Sequence, residues 1–312
     1  MTPWLSVLIP VFNGGATLAR TLASLSGQAE GVEVIAVDQA STDDSRDILR
    51  SADFPIRILE APENSNWMRN TNMALQAATA PVVTMLHQDD LWRPGRAVLL
   101  RAMLDGDPDV RLWLHAADYV NARDRVIGLA APPFGKHPRL IEGDDALRSL
   151  LVQNTVALPA AMFRRDDALA EGGLDESLWY TADWDLWLRL AKLGPVAWSP
   201  ERLAAFRVHK KSLTITGSRD QGGAFLRQLE IPLERHLPSL GPGQGDYVRR
   251  LAQLSNTLNA ALAMAYHGSG RGLFQVFFDI LRLGPFGWRD FLRETNIIGR
   301  LGPRLRLKLS GG

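Results

Sequence analysis

From Leu5 to Leu86 the chain alternates short apolar runs with amphipathic runs three times, and few folds accept that order. Leu5-Ser6-Val7-Leu8-Ile9-Pro10 reads as a strand closed by proline, residues 34–38 as a second strand ending on Asp38, and residues 56–59 as a third. Between them, residues 16–25 carry Leu18, Leu22 and Leu25 at helical spacing, with Asn13 placed to cap the helix. Residues 41–49 open on Ser, Thr and Asp and read as a second helix, and residues 67–78 as a third. Pro81-Val82-Val83-Thr84-Met85-Leu86 is the fourth strand. Strands that are apolar along their whole length are buried on both faces, and right-handed crossover helices must cover them. The expected fold is α/β, with an open, mainly parallel sheet flanked by helices.

Directly after the fourth strand stand His87-Gln88-Asp89-Asp90. Carboxylates at the carboxyl end of a parallel strand sit at the mouth of the sheet crevice, where their hard oxygens suit Mg²⁺ or Mn²⁺ holding a nucleotide diphosphate. The alternative is an acidic helix start ahead of Pro94. Asp38 allows the same choice, between a hydrogen bond to a base or ribose and a plain helix cap. Neither a G-x-G-x-x-G fingerprint nor a Walker loop is present, so diphosphate binding falls to metal and basic side chains.

The second half is less regular. Residues 111–116, 125–130, 160–163 and 203–208 read as strands, residues 142–152 and 182–193 as helices, and residues 131–135 as a loop. After Gln221 the pattern is helical to about Arg300, with the glycine-rich residues 240–245 as a linker. In Asp183-Trp184-Asp185-Leu186-Trp187-Leu188-Arg189 the helical spacing pairs Asp185 with Arg189, a structural role. Asp183, beside aromatics in the first turn, is the candidate general base, against N-capping. Arg207-Val208-His209-Lys210-Lys211 could ligate metal or clamp phosphate, or form a solvated basic loop.

Composition excludes several chemistries. Cys is absent, which removes disulfides, thiolate metal sites and a Cys nucleophile. Charged residues at 22% and apolar residues at 46% describe a globular chain. No apolar run approaches the roughly 18 residues of a membrane span. No basic segment followed by an apolar one opens the chain, so a cytoplasmic location is expected. The net charge of +1 is uneven: from Gly241 onward there are ten Arg or Lys against four Asp or Glu.

Taken in order, these blocks resemble family 2 glycosyltransferases. The matching segments are Leu5-Ser6-Val7-Leu8-Ile9-Pro10-Val11-Phe12-Asn13, Val37-Asp38 with Ser41-Thr42-Asp43, Arg69-Asn70, His87-Gln88-Asp89-Asp90, residues 182–189, and Arg207-Val208-His209, spanning residues 4–216. The resemblance implies a GT-A fold in a domain of residues 1–216, followed by a C-terminal helical region of residues 217–312 with a basic amphipathic tail. It implies a donor site that includes Pro10, Val11 and Asn13 along the nucleotide pocket, Asp38 on the base, Arg69, Asp89 on the ribose or sugar, and Arg207. Asp90 and His209 would hold Mg²⁺ or Mn²⁺, and Asp183 would be the catalytic base of an inverting single displacement. Two departures stand out: Gln39-Ala40-Ser41 where the family commonly has Asp-Gly-Ser, and His87 where the metal motif often begins with Asp.

The implied donor is a nucleotide sugar, a UDP-sugar by default, and the acceptor a hydroxyl of a glycan or lipid-linked saccharide. No nucleic-acid partner is expected. The rival enzyme is a pyrophosphorylase-like nucleotidyltransferase, which would want cations in Val11-Phe12-Asn13-Gly14-Gly15, where there are none. The other rival is a non-catalytic nucleotide-sugar-binding scaffold. The tail, with Phe, Trp, Ile and Leu among Arg282, Arg289, Arg293, Arg300, Arg304, Arg306 and Lys308, suits an in-plane helix on an anionic membrane, on the inner face of the cell membrane. Its alternatives are a helical subdomain packed on the core and a homodimer contact.

Overall fold

Strand β1 (Leu5–Val11) is buried at every position because it lies between two parallel neighbours. The computed structural model describes residues 2–209, 212–218, 223–241, 243–268, 272–297, 299, 301–302 and 306. After β1 come α1 (Leu18–Leu25), β2 (Val32–Asp38), α2 (Ser45–Arg50), β3 (Arg57–Glu60), α3 (Trp67–Ala77) and β4 (Val82–Met85). α1 buries Leu18, Leu22 and Leu25, as their spacing requires. It starts later than expected, behind Thr17, and Asn13 does not cap it. α2 also starts late, because the side chains of Ser41 and Asp43 are spent on the loop after β1. α3 is capped by Asn66, whose side chain accepts the Arg69 N–H at 2.8 Å.

The second half contributes β5 (Leu91–Trp92), α4 (Arg96–Leu104), β6 (Leu112–Val120), β7 (Val126–Ala130), β8 (Arg139–Ile141), α5 (Gly143–Val152), β9 (Ala161–Arg164), α6 (Arg165–Ala170), α7 (Ala182–Ala191) and β10 (Val196–Arg207). The sheet has the order β3-β2-β1-β4-β9-β6-β10-β5, with β7 on β6 and β8 on β10. Its first four strands are parallel; beyond β4, antiparallel β9 makes the sheet mixed. β10 begins well before residue 203. The register shift between Ser199 and Arg202 is where Pro200 and Glu201 interrupt the apolar pattern.

The C-terminal elements are α8 (Leu213–Thr216), α9 (Ala224–His236), α10 (Gln244–Tyr266), α11 (Leu273–Leu281) and α12 (Gly284–Thr295). Phe225, Leu229, Leu233, Val248, Leu251 and Phe291 share one apolar core with Leu147, Leu150 and Trp184. Helices follow β10 from Leu213 onward, and the apolar core continues across residue 216. Among the described residues no helix is long and apolar enough to cross a membrane. Lys210, Lys211, Arg300, Arg304 and Lys308 lie outside the described residues.

α7 lies between the sheet and these helices, with Trp184 and Trp187 fully buried. Trp184 donates its indole N–H to the Leu150 carbonyl at 2.8 Å, and the Trp187 ring meets Phe163 edge-on. Asp185 takes the structural role expected of it, accepting Arg189 at 2.9 Å and His236 at 2.9 Å. Burial alone would raise its pKa; the His236 hydrogen bond and the Arg189 charge outweigh this and bring it down to about 2. Asp185→Ala leaves buried donors without an acceptor and should cost about 3–5 kcal/mol in urea unfolding. A carboxylate with a depressed pKa stabilises fully above its unfolded value of 3.8, so this contribution should fade as pH falls from there toward 2.

Candidate active site

From β1 the chain crosses to β2 and β3 on one side, while β4 lies on the other, so the loops after β1 and β4 open the crevice where α/β sheets take ligands. Gln88 stitches the two loops together: its Oε1 accepts the Phe12 N–H at 2.8 Å and its amide donates to the Phe12 carbonyl at 2.9 Å. Gly14 is required beneath this bridge, since a Cβ there would lie 2.5 Å from Gln88 Oε1. Asn13, at φ 48°, braces the loop after β2: its Oδ1 accepts the Thr42 N–H at 2.9 Å.

This architecture places several of the expected donor-site residues away from the main cavity. Pro10 and Val11 are buried inside β1, paired with Val37 and Asp38, outside the lining of the cavity that holds Asp183. Asp38 is 0% exposed; it accepts the Arg46 Nε–H and the Ser41 N–H. A carboxylate at a buried strand end needs a counter-charge, and α2 supplies it. Asp38 is therefore enclosed between Ser41 and Arg46. Arg69 is exposed on the first turn of α3, outside the residues that line the cavity.

Arg207 and Asp90 are joined at the end of β10. The Arg207 side chain is 0% exposed and ion-paired with Asp124. Its Nε donates to the Asp89 carbonyl at 2.7 Å and its Nη1 to the Asn121 carbonyl at 3.0 Å, while its backbone N–H donates to Asp90 Oδ1 at 2.9 Å. Arg207 thus clamps the 87–90 loop, and it also lines the cavity that holds Asp183. Asp90, expected as the metal ligand, is 1% exposed and lies outside the cavity lining. Burial and the neighbouring Asp89 push its pKa well up, against the hydrogen bond and charge of Arg207 and the charge of Arg96. Arg96, itself fully buried and brought down to about 9 by burial, bonds Thr84 and the Pro159 carbonyl.

Asp89 turns the other way. It lines a cavity of about 230 Å³ together with His87, Trp67, Tyr119 and Asp183, and its Oδ2 lies 3.1 Å from His209 Nε2. His87 packs edge-on against Trp67, and burial lowers its pKa against the pull of Asp89. Thr181 holds the N-cap position of α7, two residues before Asp183. Asp183 Oδ1 accepts the Trp184 N–H at 2.7 Å, and Asn154 reaches its Oδ2 at 3.4 Å. Burial raises its pKa to about 6, against the hydrogen bonds from Trp184 and Asn154. Asp89 and Asp183 are the two carboxylates of the cavity lining among the described residues.

Sequence reasoning missed Gln153, Asn154 and Asn259, which also line this cavity. Gln153 Oε1 accepts from Ser255 Oγ and Asn259 Nδ2, both at 2.7 Å, tying α10 to the end of α5. The available signal was polar Ser255, Asn256 and Asn259 at helical spacing on a buried face.

The profile of glycosyl transferase family 2 matches residues 6–166, half of the chain. The chain belongs to the family 2 glycosyltransferases. An uncharacterized protein of Mycobacterium tuberculosis (strain CDC 1551 / Oshkosh) is 31% identical over 220 residues, which is 66% of this chain and 67% of that relative. The fold is that of GT-A glycosyltransferases. Residues 1–349 of S. aureus TarS, solved with UDP-GlcNAc, superpose with a TM-score of 0.65 at 14% identity, covering 97% of this chain and 89% of that one. The mannosyltransferase PcManGT from Pyrobaculum calidifontis, solved with GDP-Man and Mn²⁺, gives 0.57 at 18% identity, covering 100% and 89%.

A divalent cation fits this glycosyltransferase's site through two side chains. Among the described residues no three His, Asp or Glu converge as a ready-made cage. Asp89 and His209 are adjacent oxygen and nitrogen donors, and Mg²⁺ or Mn²⁺ takes few protein ligands when phosphates supply others. The clamp makes a direct prediction. Arg207→Ala should lower stability by about 3 kcal/mol or more and speed amide exchange in residues 87–90 by about tenfold or more. Arg207→Lys should rescue neither fully, since an ammonium cannot span Asp89, Asn121 and Asp124 at once.

Proposed function

We propose that this chain is an inverting glycosyltransferase that moves a sugar from a nucleotide-sugar donor to a hydroxyl of a saccharide acceptor, a glycan or a lipid-linked sugar. The observation that carries this reading is the shared cavity of Asp89 and Asp183. A carboxylate with a pKa of about 6 is ionised near neutral pH yet basic enough to take a hydroxyl proton during attack. Asp89 faces His209, and Asp183 is the carboxylate assigned as base in a single displacement with no covalent intermediate.

Asp183 receives the acceptor proton on its carboxylate as the hydroxyl oxygen bonds to the anomeric carbon, and the nucleoside diphosphate leaves from the opposite face. Asn154 orients that carboxylate. Asp89 and His209 would hold Mg²⁺ or Mn²⁺, which when bound would neutralise charge on the departing diphosphate. The flat rings of Trp67, Tyr119, Tyr180 and Phe206 around the cavity suit the apolar faces of sugar rings. The nucleotide sugars bound by TarS and PcManGT support the donor class, with a UDP-sugar as the first to try. A chain without Cys needs no oxidising compartment, which supports a cytoplasmic site of action.

Asp183→Asn should keep UDP affinity in calorimetry near that of the wild type while turnover falls by about 10² or more. Because burial raises the pKa of Asp183, the wild-type rate should decline as pH drops through about 6, and the residual rate of the variant should lack that limb. Transfer at the wild-type rate would place the base elsewhere.

A further inference from the structure

Helix α11 is strongly apolar in sequence, yet of its residues only Val276 is buried. Phe274, Phe277, Phe278 and Leu281 stand at i, i+3, i+4 and i+7, one stripe of the helix, and are 81%, 57%, 51% and 39% exposed. Phe274 and Phe277, with Val276 and Ile280, also line a shallow apolar groove against Leu258 of α10. The corner into α12 adds Phe286, 80% exposed. These side chains together offer on the order of 500 Å² of apolar surface, at the top of the range that monomers leave open.

Charge decides what covers it. Arg282 and Arg289, each 72% exposed, flank the stripe and pair with Asp279 and Asp290 within the same two helices. The unbalanced charge follows: residues 298–312 contain Arg300, Arg304, Arg306 and Lys308 and no Asp or Glu. Arg306 donates to the Ile127 carbonyl of β7 at 2.7 Å. From Gly241 onward ten cations face four anions, so a second copy would bring like charge against like. An anionic lipid surface is complementary to both the apolar stripe and the cationic excess.

We propose that α11 and the start of α12 dock in the plane of an anionic membrane, with the Phe274–Phe277–Phe278 stripe in the acyl boundary. The catalytic cavity then lies close to the lipid. Leu258 of α10 lines the groove and the next residue, Asn259, lines the cavity, so about one helix diameter, roughly 10 Å, separates them. The inference does not depend on the identity of donor or acceptor.

The test is flotation of the full chain with vesicles of phosphatidylcholine containing about 30% phosphatidylglycerol. Wild type should float, with the bound fraction falling about tenfold or more on pure phosphatidylcholine or at about 0.5 M salt. The triple variant Phe274→Ser, Phe277→Ser, Phe286→Ser should lose binding by a similar factor while its unfolding midpoint stays put, because these rings are largely exposed. As a second readout, Phe274→Trp should show more fluorescence quenching by brominated acyl chains than wild type. The proposal is overturned if wild type stays unbound on anionic vesicles, or if the folded triple variant floats equally well. It is also overturned if Phe274→Trp gains no quenching, or if wild type fails to float and is instead a dimer that the triple variant dissociates.

Discussion

The site depends on one buried guanidinium. Arg207, at the last position of β10, reaches the Asp89 carbonyl, the Asn121 carbonyl and the Asp124 carboxylate, while its own N–H holds Asp90. Breaking a buried charge pair of this kind costs about 3–5 kcal/mol, a large share of the stability of a domain. Asp124 in turn pairs with Arg20 of α1 at 2.9 Å, so the clamp links the sheet's mixed half to the first helix. The consequence for chemistry is directional. Fixing Asp90 inward leaves Asp89 as the carboxylate that faces the cavity, beside His209.

A second constraint comes from the opposite wall. Phe225 and Leu229 of α9 and Asn259 of α10 line the cavity that holds Asp183. The Gln153–Ser255–Asn259 hydrogen bonds tie α10 to the residue just after α5, next to Asn154. Asp183, the proposed base, is therefore oriented by a loop that the C-terminal helices buttress. The GT-A core and these helices form one packed unit around the reaction space.

The parallel half of the sheet was legible because β1, β2 and β4 are apolar on both faces, a pattern with one structural solution. The first half of β10 was not, because Pro200 and Glu201 at the register shift look like a loop. β8, with three residues, and α6, with six, are too short to show a period. Among the site residues, motif position located the loop but not the direction of each side chain. Asp89 and Asp90 are neighbours in sequence and point to opposite environments. Asp38 and Arg207 stand at strand ends, as reactive groups do, yet their partners Arg46, Asn121 and Asp124 come from loops and helices that no local pattern joins to them. Asn259 lies 106 residues from the Gln153 it bonds, beyond the reach of any spacing rule.

We propose that Asp89 and His209 take the metal while Asp90 stays bonded through Oδ1 to the Arg207 N–H. A crystal structure of the full chain grown with UDP and Mn²⁺, with an anomalous map at the manganese edge, reads this directly. The account predicts one manganese peak within bonding distance of an Asp89 carboxylate oxygen, at about 2.0–2.3 Å, with His209 beside it and Asp90 still bonded to the Arg207 N–H. A manganese ion ligated by Asp90, or an Arg207 side chain released to the diphosphate, would contradict it.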